Sequence, residues 1–186
     1  MSDNSSSNLP PKASDGVFAV SVSSVINAPR DKVWKILIDF PAYHEWNPFV
    51  RALSIVSKDS SQTPLRDEVP TAGAHLLMSR VHIPPTMDDA SVRSPSSSLE
   101  RITVLDHENY RCAWVYISLP TWLLKAERWQ MLTVVNSGEG EGEVTKYESI
   151  EVFGGILAYV VKFFVRSGLV EGFQAMTDSL KQRAEA

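Results

Sequence analysis

The C-terminal stretch, residues 154–185, contains no proline and constrains the fold more than any other part of the chain. Residues 156–165 are apolar except for Lys162, and beyond Gly168 apolar residues recur at helical spacing. The pattern predicts a long C-terminal helix that is broken near Gly168 or Gly172, because glycine destabilises a helix interior. The apolar run is shorter than the ~20 residues of a membrane span, so we expect a buried core helix or a helix gripped by a curved sheet.

The composition predicts one globular domain preceded by a short tail. The chain has 186 residues, of which 44% are hydrophobic and 22% charged, and this balance is ordinary for a single domain with its own core. Residues 1–15 are rich in Ser, Asn and Pro, so we expect a disordered tail before a domain over residues 16–186.

Charge and cysteine content exclude several functional classes. The net charge of −4 and the lack of a Lys/Arg cluster argue against nucleic acid as a partner. Cys112 is the single cysteine, so no internal disulfide forms and we expect a reducing, cytoplasmic compartment. No signal peptide or membrane insertion is expected. The four histidines lack metal-ligand spacing and no phosphate-binding loop occurs, so we expect neither a metal nor another cofactor.

The order of elements predicts an α+β fold. A strand over residues 16–27 precedes two short helices, which Pro29 begins and Pro41 separates. About six further strands follow over residues 49–153, joined by turns and by a Pro/Ser-rich loop at residues 84–98. Strands grouped in this way form an antiparallel sheet of about seven strands with one dry face, which the C-terminal helix is placed to cover.

Three segments in this order resemble the helix-grip superfamily of START-related, SRPBCC and polyketide cyclase/dehydrase proteins. They are Ile26-Asn27-Ala28-Pro29 with Val33-Trp34, Asp39-Phe40 and Tyr43; Trp46-Asn47-Pro48-Phe49-Val50; and Thr145-Lys146-Tyr147 with Glu151–Gly155, Gly172-Phe173 and the terminal residues 179–185. The resemblance covers nearly the whole chain. It implies a cavity between sheet and helix, and it leaves transport, sensing and catalysis open because the superfamily uses one cavity for all of them.

Polar residues on predicted strands are the candidates for chemistry in such a cavity. Arg80 and His82 share a strand face with Leu76 and Met78, and His82 has a side chain suited to acid–base work. Arg80 and His82 are equally consistent with the solvent-facing side of the strand.

A later strand carries Glu127, Arg128, Trp129 and Gln130, so that either Arg128 or Trp129 points inward, and the pattern does not decide which. An inward Arg128 would bind a carboxylate or enolate of a ligand; an outward one would form a surface ion pair.

Tyr147 and Glu151 lie on one face of the last strand, where they form either a proton-transfer pair or part of the exterior. Trp114 and Tyr116 are predicted to form an aromatic cavity wall or plain core, and Phe163 and Phe164 to line the cavity from the helix.

We therefore expect a domain that encloses a hydrophobic small molecule, such as a polyketide, terpenoid, sterol or lipid. The predicted ligand contacts are Arg80, Trp114, Tyr116, Arg128, Trp129, Phe163 and Phe164. The alternative is a cyclase, dehydratase or isomerase that holds a reactive chain and moves a proton with His82, Tyr147 or Glu151. A protein whose cavity is filled by its own side chains is a third possibility, and both a monomer and a homodimer remain open.

Overall fold

A computed structural model of the protein describes residues 9–65, 68–135 and 142–186. Seven antiparallel strands form one curved open sheet in the order β1-β7-β6-β5-β4-β3-β2. The strands are β1 Phe18–Ile26, β2 Val50–Val56, β3 His75–Val81, β4 Ser96–Asp106, β5 Arg111–Tyr116, β6 Lys125–Val135 and β7 Val144–Gly154. The predicted turn at residues 137–142 falls mostly in residues 136–141, outside the described part.

Two short helices follow β1, as the prolines predict. Helix α1 spans Arg30–Ile38, and after a 3-10 turn at Phe40–Ala42 helix α2 spans Tyr43–Trp46. The Asn47 side-chain oxygen then accepts hydrogen bonds from the backbone N–H groups of Phe49 (2.9 Å) and Val50 (3.0 Å), which fixes the turn into β2.

The C-terminal stretch forms α3, Ala158–Phe164, and α4, Arg166–Glu185. Helix α4 lies across the concave face of the sheet and buries Phe173, Met176 and Leu180 there. The α+β helix-grip architecture predicted from the sequence is therefore confirmed.

The sequence predicted the wrong position for the break in the C-terminal helix. It lies at Val165, whose φ of −120° leaves the helical range, rather than at Gly168 or Gly172. Both glycines lie within α4, where the absence of a side chain allows close packing. A Cβ on Gly168 would lie 2.3 Å from an Ile83 methyl carbon, and one on Gly172 would lie 2.3 Å from the Phe49 ring. The residues after Trp46 are thereby held against α4.

Part of the predicted N-terminal tail is seen against the sheet. Residues 1–8 lie outside the described part, but Ala13–Asp15 forms a 3-10 turn, and the Val17 N–H donates to the Phe153 carbonyl at 2.7 Å. The predicted proline loop contains a short 3-10 turn at Asp89–Ser91 before β4 begins.

Candidate functional site

A cavity of about 190 Å³ lies between the concave face of the sheet and the first part of α4. Most of its lining is apolar and aromatic, and three ionisable side chains enter it. The lining residues are Phe49, Val50, Met78, Val81, Ser98, Glu100, Trp114, Tyr116, Leu124, Ala126, Arg128, Glu151, Phe153 and Leu169.

The sheet register brings the polar residues of the cavity together. Arg128 on β6 lies directly opposite Glu151 on β7 and opposite Trp114 on β5. In the adjoining row, Glu100 on β4 lies opposite Tyr116 on β5. Side chains of directly opposed residues on one face are neighbours, so four strands contribute to one polar patch in an apolar wall.

Arg128 is buried and is held by neutral partners. Its Nε donates to the Ser149 hydroxyl at 3.2 Å, and its Nη2 lies 3.4 Å from the Met176 sulfur. The guanidinium carbon lies 3.9 Å from the centre of the Phe173 ring and 5.9 Å from that of Trp114, which places the cation between two aromatic side chains. Across the described residues, no carboxylate forms an ion pair with it.

The two carboxyl groups of the cavity have raised pKa values. Burial raises the pKa of Glu100 to about 8, although the hydrogen bond from the Ser98 hydroxyl opposes the rise. Burial also raises the pKa of Glu151 to about 7, and the positive charge of Arg128 limits that rise. Near neutral pH the cavity therefore contains a charged Arg128, a mostly protonated Glu100 and a Glu151 close to its midpoint.

A second polar layer lies beside the cavity, deeper under α4. The Tyr147 hydroxyl donates to the Gln130 side-chain oxygen at 2.7 Å, and the Gln130 amide nitrogen lies 3.8 Å from the sulfur of Cys112. All three side chains are fully buried, and burial raises the pKa of Tyr147 and raises the pKa of Cys112 to about 12. These groups support the cavity wall but do not line it.

The structure separates the three residues predicted to transfer protons. Glu151 lines the cavity and Tyr147 lies in the adjacent buried layer. His82 follows β3 and is buried elsewhere, with its Nδ1 2.8 Å from the Thr86 carbonyl oxygen and its Nε2 3.8 Å from Asp89. Arg80, which was predicted to contact ligand, is exposed and bonds Asp89 at 3.1 Å.

An irregularity in β3 explains where Arg80 and His82 lie. The pairing with β4 shifts register between Met78 and Val81, and Arg80 has a positive φ of 53°. The alternation that begins at Leu76 therefore ends at Met78. Val81 takes the inward position in place of Arg80, so the shared face predicted from the sequence does not exist.

Three predicted ligand contacts also lie outside the cavity. Trp129 follows Arg128 on β6 and so points to the convex face, where its indole N–H donates to Glu127 at 3.0 Å. Phe163 and Phe164 are 86% and 82% exposed, because α3 turns this face away from the sheet. The remaining predicted contacts, Trp114, Tyr116 and Arg128, do line the cavity.

Glu100 is the main cavity residue that sequence reasoning missed. It follows three serines at the start of β4 and is typical of a solvated strand end. The turn at residues 106–109 alone would have paired Glu100 with Ile117. The strands shift register between Ile102 and Val104, and this irregularity, which periodicity does not reveal, brings Glu100 opposite Tyr116.

A larger groove of about 770 Å³ runs beside the edge strand β2. It is lined by Phe40 and Pro41 of the turn between α1 and α2, by β2, and by residues 64, 65 and 68–70. We place the candidate site in the inner cavity because there a buried cation and two carboxyl groups with raised pKa values face an apolar space, whereas Arg51, which lines the groove, is paired with Asp89 at 2.8 Å. Within the described residues, no cluster of His, Cys, Asp and Glu is arranged to hold a metal ion.

The fold and this cavity define a helix-grip protein with an internal cavity. The chain belongs to the family described as "Polyketide cyclase / dehydrase and lipid transport", whose sequence profile matches residues 17–185. No curated protein matches it. In the described part of the chain, no helix is both long and apolar enough to cross a membrane.

Solved structures share the fold at low sequence identity. A START superfamily protein from Mycobacterium smegmatis is 16% identical with a TM-score of 0.57, covering 90% of this chain and 97% of that one. The di-domain aromatase/cyclase BexL of the BE-7585A biosynthetic pathway is 16% identical with a TM-score of 0.56, covering 91% of this chain and 50% of BexL. A norcoclaurine synthase from Thalictrum is 14% identical with a TM-score of 0.52, covering 89% and 92%.

Proposed function

We propose that the protein binds a small, mainly apolar molecule in the inner cavity through an anionic or strongly accepting group that contacts Arg128. The observation that carries the proposal is the charge state of the cavity. Arg128 is positive, no described carboxylate pairs with it, and both nearby carboxyl groups have raised pKa values. A carboxylate, phenolate or enolate would supply the missing negative charge, and the guanidinium fork would orient it.

The volume of the cavity supports a ligand with one or two rings. A cavity of about 150 Å³ holds benzene, and this one measures about 190 Å³. Sterols and multi-ring polyketides are larger than this space, so within the classes expected from the sequence we favour a small aromatic or monoterpenoid-sized compound. Trp114, Tyr116 and Phe153 would bury its rings.

Calorimetric titration with a matched pair of probes tests the proposal. We expect 4-isopropylbenzoate to bind about tenfold more tightly than 4-isopropylbenzamide, since the pair differs in charge but little in shape. Arg128→Gln should abolish the preference, and Arg80→Gln, a change of the same type outside the cavity, should keep it. Equal binding of both probes to the unchanged protein would contradict the proposal.

The pH dependence of the same titration gives a second readout. Protonation of Glu151, whose pKa is about 7, removes a negative charge beside Arg128. Affinity for 4-isopropylbenzoate should therefore rise as the pH falls from about 8 to about 6, a range in which the probe stays ionised. Glu151→Gln should weaken this pH dependence, and the part that remains should be lost when Glu100, whose pKa is about 8, is also replaced by Gln.

A second candidate function is proton transfer on a carbonyl compound, as a cyclase or isomerase requires. The specific observation in its favour is that Glu151 faces the cavity with a pKa near neutrality, so that it can both take and return a proton. Arg128, its direct neighbour, would stabilise the enolate that forms when the α-carbon loses that proton.

Deuterium exchange tests this second candidate without knowledge of the natural substrate. In D₂O, 2-tetralone should lose α-protons faster with the protein than in buffer. Glu151→Gln should remove the acceleration while leaving the affinity for the neutral 4-isopropylbenzamide intact. The variants His82→Gln and Tyr147→Phe show whether His82 and Tyr147 take part in the exchange. An exchange rate equal to that of buffer would leave ligand binding as the function.

A further inference from the structure

Six large apolar side chains lie exposed on α3, on the turn that precedes it and on the loop between β5 and β6. We call this surface the α3 patch; it consists of Trp122, Ile156, Tyr159, Val160, Phe163 and Phe164. Trp122 is 65% exposed, and both phenylalanines are more than 80% exposed. Clusters of this kind on a soluble domain mark interaction sites, because burying them elsewhere in the fold would be favourable.

Backbone contacts join the two parts of the patch into one surface. The Ile156 N–H donates to the Trp122 carbonyl at 3.1 Å, and the Leu157 N–H donates to that of Leu123 at 2.8 Å. The cavity lining includes Leu124, two residues after Trp122, and Leu169, in the first turn of α4 directly after α3. The α3 patch therefore adjoins one end of the cavity.

The charge around the patch differs in sign from that of the whole chain. Residues 154–170 contain the basic residues Lys162 and Arg166 and no Asp or Glu, and Lys125, at the end of the loop between β5 and β6, is paired with Glu127 at 3.2 Å. The full sequence has 22 acidic and 18 basic residues, a net charge of −4. Lys162 and Arg166 are both exposed on either side of the phenylalanines.

We propose that the α3 patch docks the protein onto an anionic lipid bilayer. Exposed Trp, Tyr and Phe side chains beside basic residues suit the boundary between headgroups and acyl chains. A helix of seven residues is too short to span a bilayer, so α3 would lie in the interface. The phenylalanines project singly rather than line a groove, which fits a fluid surface better than a shaped protein partner.

A second copy of the chain is a less suitable occupant of the patch. In a two-fold dimer the same surface faces itself, which would bring Lys162 and Arg166 of both copies together without an acidic partner. Docking to lipid is independent of the proposed cavity ligand, because none of the six patch residues lines the cavity.

A fluorescent label on the full-length protein reports contact with lipid. Cys112 is fully buried, so a cysteine introduced by Phe163→Cys can be labelled selectively with a polarity-sensitive dye. Vesicles that contain phosphatidylserine should shift the emission to the blue, pure phosphatidylcholine vesicles should do so less, and added salt should weaken the effect. The same label at Val25→Cys, on an exposed site of β1, should not respond.

Vesicle sedimentation of unlabelled variants tests which residues are responsible. The double change Phe163→Ser with Phe164→Ser should weaken binding to anionic vesicles by about tenfold or more. Val25→Ser with Val134→Ser, two exposed valines on the sheet, is the control. Lys162→Glu with Arg166→Glu should also weaken binding, whereas Lys35→Glu with Arg93→Glu should not. Unchanged melting temperatures verify that all variants fold.

Two results would overturn the proposal. One is binding of the unchanged protein to anionic vesicles that the phenylalanine changes do not weaken. The other is absence of binding to anionic vesicles; a concentration-dependent dimer that the phenylalanine changes convert to a monomer would then assign the patch to self-association.

Discussion

Replacing Glu100 by Gln should change the pH dependence of stability. Glu100 is buried, and its pKa rises from 4.5 to about 8 on folding. Between these values the folded protein keeps the proton that the unfolded chain loses, so ionisation favours the unfolded state and stability falls as the pH rises. Gln keeps the acceptor for Ser98 and has no proton to lose.

The magnitude follows from the two pKa values. The difference, 8 − 4.5 = 3.5, corresponds to a limit of roughly 5 kcal/mol well above pH 8. Roughly 3 kcal/mol of this accumulates between about pH 5 and about pH 8, because the folded group itself begins to ionise near the upper end. The free energy of unfolding of Glu100→Gln should therefore fall less over this range, by up to about 3 kcal/mol, than that of the unchanged protein.

Urea denaturation followed by tryptophan fluorescence at both pH values measures the difference. Glu108→Gln, a change in the exposed turn between β4 and β5, is the matched control and should leave the pH profile of the unchanged protein intact. If Glu100→Gln shifts stability by the same amount at both pH values, the raised pKa of Glu100 is refuted.

Three further changes test separate parts of the structure. Gly172→Ala should lower the free energy of unfolding by roughly 1–3 kcal/mol in urea, because the added carbon would lie 2.3 Å from the Phe49 ring; no loss would contradict the close packing. Arg128→Gln should raise the pKa of Glu151 above about 7 in a carbon-13 NMR titration, because the Arg128 charge lowers it; an unchanged pKa would show that the two residues are not coupled. Asn47→Ala should lower the melting temperature, at a cost of about 1–3 kcal/mol, because two buried N–H groups lose their acceptor, and an unchanged value would refute its role in the turn.

The order of elements was predictable because turn-forming residues mark its boundaries. Pro29 and Pro41 bound α1, and the alternating strands that follow can only form an antiparallel sheet with one dry face. Gly168 and Gly172 were interpreted as helix breakers, but their lack of a side chain instead allows other residues to pack closely against α4. That distinction depends on Ile83 and Phe49, which are distant in sequence.

The sequence predicted a cavity between the sheet and the helix, but it predicted only some of the residues that line it. On β6, alternation left Arg128 and Trp129 as equal candidates, since both faces of the strand are covered and both carry apolar residues. On β3, a local irregularity reversed the positions of Arg80 and Val81. Neither the choice of face nor the irregularity is encoded in periodicity alone, because each is set by pairing with another strand.

The position of a bound probe tests the central claim most directly. Intermolecular nuclear Overhauser effects should connect the isopropyl group of 4-isopropylbenzoate to side-chain protons of Met78, Leu124 or Leu169, which line the inner cavity. Contacts only to Leu65 or Val69, in the larger groove beside β2, would contradict the account and move the site to that groove.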